Sequence, residues 1–85
     1  MTHHDALWAS IYRVAQIHNQ SCSGLARMCD LDSTIFNPSK RYTATNQPRW
    51  ISTETLVKIL VSTHISASEF ADIYQSFLNS DDTLD

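Results

Sequence analysis

One glycine and two prolines in 85 residues leave this chain very few places to reverse direction sharply. Sheets built from hairpins need such places, because tight two-residue turns rely on residues that tolerate positive φ. The apolar positions also recur at spacings of three and four rather than two, which is the period of a helix. An all-α class follows. A chain this short supports one core with a thin stability margin, so its helix ends should carry strong local signals.

They do. Leu7, Ile11, Val14 and His18, flanked by Trp8 and Ala15, predict a first helix from about Asp5 to His18. Ser21 or Ser23 can cap a short second helix through Leu25, Ala26 and Met28, ending near Asp30. A third starts at Asp32, with Leu31 and Phe36 forming a hydrophobic staple across the cap. The device recurs at Ser52, between Ile51 and Leu56, and at Ser66, between Ile65 and Phe70, where Glu69 completes a capping box. The fourth and fifth helices are expected at Thr53 to Ser62 and Ala67 to Leu78. Residues 1–78 then form one five-helix domain, and residues 79–85 an acidic tail or the start of a linker. The stretch from Arg41 to Pro48 is the one long loop.

The net charge of −3 speaks against a polyanionic partner until its distribution is examined. From Ser21 to Leu60, five basic residues face three acidic ones, a balance of +2; from Val61 onward five acids stand without a base, a balance of −5. The middle of the chain can face phosphate while its end faces away. No stretch approaches the roughly 18 apolar residues of a membrane span, and Met1 to Ser10 does not resemble a signal peptide, so a cytoplasmic protein is expected. Cys22 and Cys29 read as reduced, half-buried thiols about two turns apart on one helix, too far for a disulfide.

Two short helices, about Ser23 to Cys29 and Ser33 to Ser39, joined by Asp30, Leu31 and Asp32 alone, must cross steeply, as in a helix-turn-helix. The second has only Ile35 and Phe36 as large apolar residues and is poorly suited to filling a core. Ser33, Thr34 and Asn37 share one face, and short hydroxyl and amide groups suit base edges, asparagine best matching adenine. Lys40, Arg41, Tyr42, Thr43 and Arg49 follow in a loop of cations and donors suited to phosphate oxygens. Trp50, beside the Ile51 staple, is expected to anchor that loop on the core. Phe77 and Leu78, surplus to a small core, are expected to pair two copies weakly.

At this point the chain resembles a known family. Ser23-Gly-Leu-Ala-Arg27, Leu31-Asp-Ser-Thr-Ile-Phe-Asn-Pro-Ser-Lys-Arg41 and Pro48-Arg-Trp-Ile-Ser-Thr-Glu54 look like the Cro/lambda-repressor-like helix-turn-helix family. The likeness is to the subset found as N-terminal domains of phage-type repressors with a LexA-like self-cleaving peptidase, and it covers about Leu7 to Tyr74. It implies a five-helix lambda-repressor-like fold whose third helix enters the major groove, and dimers on two-fold related half-sites of a duplex DNA operator. Ser33, Thr34 and Asn37 would be the base readers. Ser21, Ser23, Lys40, Arg41 and Arg49 would touch phosphate, the first two at a helix N-terminus. Two departures stand out: Asp30 occupies the site of a turn glycine in many members, and Pro38 implies a distortion after Asn37. The peptidase's serine and lysine pair has no counterpart here, so the resemblance implies either a repressor's N-terminal domain, the favoured reading, or a short regulator without the peptidase half.

No enzyme is expected, since no nucleophile with a base partner, phosphate loop or paired apolar carboxylates can be identified. His3, His4, His18 and His64 lack metal-ligand spacing, and neither metal nor cofactor is implied. The rival reading is a small helical protein-interaction module without DNA binding, which fits the charge total. A polar third helix followed by a basic loop fits DNA better.

Overall fold

Thr2, not Asp5, opens the first helix: its Oγ1 accepts the N–H of Asp5 at 3.1 Å, and α1 runs His3–Ile17. The computed structural model describes residues 1–80, and the tail expected over residues 79–85 lies outside the described residues from Asp81 onward. Three further α-helices follow: α2 at Cys22–Met28, α3 at Thr53–Thr63 and α4 at Ala67–Asn79. Each begins at a serine whose Oγ accepts an amide of the first turn, Ser21 from Gly24, Ser52 from Thr55 and Ser66 from Glu69. Ser66 and Glu69 complete the expected capping box. No helix of the described residues is long and apolar enough to cross a membrane.

No α-helix forms over residues 33–40. Residues 33–36 make a turn, with Ile35 N–H donating to Asp32 O at 3.1 Å and Asn37 N–H to Thr34 O at 3.0 Å, and a 3-10 helix follows at Pro38–Arg41. Pro38 is the physical reason. It lacks an N–H, its ring excludes a helical carbonyl four residues earlier, and it holds Asn37 extended at φ −60° and ψ 143°. A helix begun at Ser33 is stopped before two turns are complete. The described residues therefore hold four α-helices where five were expected, and the steep crossing expected after Asp30 has an α-helix on one side only.

The core is built around α1. Trp8, Ile11, Val14 and Ala15 meet Leu25 and Ala26 of α2, Cys29, Phe36, Ile59 of α3 and Phe70 of α4 in one cluster, and α4 packs along α1. Phe36 is fully buried. The turn that replaces the expected helix is thus pinned to the core by the apolar residue that the Leu31 staple had picked out. Two buried hydroxyls are satisfied within their own helices, Ser10 on Ala6 O and Thr63 on Ile59 O.

With Gly24 placed inside α2, the helix ends must reverse the chain without glycine. Asn19, Asp30 and His64 do so in the left-handed region, at φ 54°, 58° and 56°. At the end of α2 the N–H of Leu31 donates to Ala26 O and that of Asp30 to Arg27 O, the paired bonds of a Schellman motif. Asp30 therefore carries a conformation that suits glycine better. Asp30→Gly should stabilise the fold by about 0.5–1 kcal/mol, raising the melting temperature by roughly 2–6 °C. An unchanged or lower melting temperature would show that the aspartate carries a compensating contact.

Candidate nucleic-acid interface

The chain from Lys40 to Trp50 is held against the start of α1. Tyr42 and Pro48 form an isolated antiparallel bridge, Arg49 N–H donates to Arg41 O at 2.8 Å, and Thr43 N–H donates to Gln47 O at 2.8 Å. Asn46 turns this small hairpin at φ 64°. His4, almost fully buried, points its Nε2 at two carbonyls, Arg41 O at 2.9 Å and Arg49 O at 3.2 Å. Both are acceptors, so Nε2 carries the proton. Trp8 Nε1–H donates to the same Arg49 O at 3.0 Å. The two carbonyls at the neck of the hairpin are thereby fastened to successive turns of one helix.

That clamp decides where the expected site residues fall. Thr34, Lys40 and Arg49 come together with Asp32 and Ile35 around one surface cleft of about 180 Å³. Thr34 and Arg49 are exposed, and Lys40 is half-buried. Among the described residues the cleft has one acid, and it is occupied: Asp32 Oδ1 accepts the Thr34 N–H at 2.8 Å and its hydroxyl at 2.7 Å. The Thr34 hydroxyl, then its N–H, hold the Asp32 carboxyl below the usual carboxylate range. Ser33 and Asn37 are half-buried, and Asn37 makes no side-chain cap on the 3-10 helix.

The remaining residues are distributed elsewhere. Arg41 turns back onto α1, where its Nη2 donates to Asp5 Oδ1 at 2.7 Å, and its buried Nε has no hydrogen-bond partner among the described residues. It ties the hairpin down. Tyr42 is 43% exposed and lies 5.0 Å from the His4 ring. The Thr43 hydroxyl is taken up inside the hairpin by Thr45 and by the Gln47 N–H. Ser21 and Ser23 bond one another, with Gly24 N–H on the first and Arg27 on the second. Ser21 lines a different cleft, with Tyr12, Cys22 and Phe77. Phe77 and Leu78 are both half-buried, since α4 lies along α1. Burial pushes the Cys22 and Cys29 thiols up, and both are free.

Trp50 differs from its expected role. It touches the His4 ring edge-on at 5.2 Å, yet 56% of it is exposed. The residues that do anchor the loop, His4, Asp5 and Trp8, are absent from the expected site. One signal for them was present: His4, Trp8, Ile11 and Ala15 follow the same helical spacing as the rest of the stripe. Among the described residues, no group of three or more His, Cys, Asp or Glu side chains converges to hold a metal ion. No protein-family model, curated protein or solved structure matches the chain.

The Asp32 turn has a pH signature. Because its carboxyl sits lower in the fold than the ordinary 3.8, the turn's contribution is complete above that value and is lost as the pH falls through the lowered one. A titration of the Thr34 amide by NMR should inflect below 3.8. An inflection at or above 3.8 would mean that Thr34 does not hold Asp32 in solution.

Proposed function

We propose that this chain is a sequence-specific duplex-DNA-binding regulator and repressor with the reading surface at Ser33 to Arg49, where a turn and a 3-10 helix stand in place of a recognition helix. The observation that carries the reading is the gathering of Lys40 and Arg49 with the exposed Thr34 around one cleft whose single carboxylate is taken up by its neighbour. Two cations at a rigid surface suit neighbouring phosphates, and a hydroxyl beside them suits a base edge. The resemblance of Phe36-Asn-Pro-Ser-Lys-Arg41 and Pro48-Arg-Trp50 to phage-type repressors supports the same reading.

The proposed roles divide differently along the chain than the resemblance implies. Lys40 and Arg49 take the phosphates, Arg41 positions the hairpin through Asp5, and Thr34, with Ser33 and Asn37 behind it, meets the bases. A turn and a 3-10 helix present fewer side chains to a groove than an α-helix does. Discrimination by one copy is correspondingly small, and two copies on two-fold related half-sites double the contacts. Phe77 and Leu78, at the end of α4, are the apolar pair that such a weak homodimer would use. Such a regulator acts in the cytoplasm.

Salt dependence tests the assignment. Lys40→Gln and Arg49→Gln should each weaken binding to every duplex and reduce the slope of log affinity against log salt by about one. Arg41→Gln should lower thermal stability and change that slope by less than half as much. Absence of duplex binding by the unaltered chain would reject the proposal, and an unchanged slope in both of the first two variants would reject the phosphate assignment.

A further inference from the structure

The two tryptophans of the chain are put to opposite uses. Trp8 is 1% exposed and gives its N–H to Arg49 O, whereas Trp50 is the more exposed of the two at 56%. Leaving most of an indole in water forfeits burial that a domain of this size can hardly spare, unless a partner covers it. Trp50 is also well placed rather than loose. The residue before it is clamped by His4 and Trp8, the residue after it packs against the core, and its own ring rests edge-on against His4 at 5.2 Å.

Its surroundings connect it to the cations. Trp50 lines a cleft of about 250 Å³ with Ile35, Arg49, Ile51 and Ser52, and the Lys40 cleft is lined by the same Ile35 and Arg49. The indole therefore continues the surface on which Thr34, Lys40 and Arg49 lie. Tyr42, the other exposed aromatic of the hairpin, flanks the same His4 ring at 5.0 Å.

We propose that Trp50 is a nucleic-acid contact, laying its indole against a deoxyribose ring of duplex DNA beside the phosphate that Arg49 takes. The inference rests on the duplex-binding reading and adds a contact of different chemistry. Sugar faces are the apolar part of a strand's wall, and an uncharged ring that covers one gains affinity without displacing a counterion. A cation and an indole side by side thus leave distinct marks on the salt dependence.

Trp50→Ala should weaken duplex binding about ten-fold while leaving the slope of log affinity against log salt unchanged. Trp50→Phe should recover part of the loss. Acrylamide quenching of the unaltered chain should show one accessible tryptophan, and saturating duplex should protect it. Circular dichroism and melting of both variants establish that they fold. If the unaltered chain binds duplex and Trp50→Ala binds equally well, the Trp50 contact is wrong and the duplex reading survives. If the unaltered chain binds no duplex, the duplex reading itself fails. A loss confined to single-stranded oligonucleotides would also overturn the proposal, because stacking on splayed bases is a different contact.

Discussion

The carbonyl oxygen of Arg49 is the point on which the rest of the surface depends. Two ring N–H groups from successive turns of α1 converge on it, His4 Nε2 at 3.2 Å and Trp8 Nε1 at 3.0 Å. A carbonyl has two lone pairs, so both bonds can be made at once. His4 also reaches the Arg41 carbonyl across the neck of the hairpin, and the Arg41 side chain returns to Asp5. Without this clamp the polar stretch after Phe36 has few apolar contacts of its own to hold it. With it, a segment containing almost no regular structure becomes a fixed surface.

Phe36 supplies the second fixed point. It is buried in the core while Thr34 and Pro38, two residues to either side, stay exposed, which fixes the turn at residues 33–36 in place. Between Phe36 and the Arg49 carbonyl the chain has little freedom, and Lys40, Thr34 and Arg49 meet as a consequence. Charge segregation along the chain acts at a coarser level. The acids Glu69 and Asp72 lie on α4, a separate element from this surface, and the Asp32 carboxylate within it is taken up by Thr34.

Much of this was legible because it is local. The caps at Ser52 and Ser66 depend on residues three positions apart, and both helices begin where those signals stand, while of the two serines open for α2 it is Ser21 that caps. The third start shows how a correct local signal can mislead. Asp32 does accept the Thr34 N–H and Phe36 is buried, but Pro38 stops the helix those features announce. The His4 clamp was hidden for the opposite reason. It joins residues more than thirty positions apart, and a histidine at a helix start gives no sign of which distant carbonyl it will meet. Trp50 is exposed where an anchor was expected, because an adjacent staple residue says where the backbone goes, not where the next ring points. The left-handed Asp30 was visible only as a departure from the glycine that the family resemblance implied.

If nucleic acid meets this protein, the proposed surface lies between Ser33 and Trp50. Titrating the isotope-labelled chain with a short duplex and following every backbone amide by NMR tests it most directly. Saturable shifts concentrated at Thr34, Lys40, Arg49 and Trp50 are expected, with the amides of α4 little changed. Shifts centred on α4 or on the cleft between Tyr12 and Phe77, or no saturable shifts at all, would contradict it.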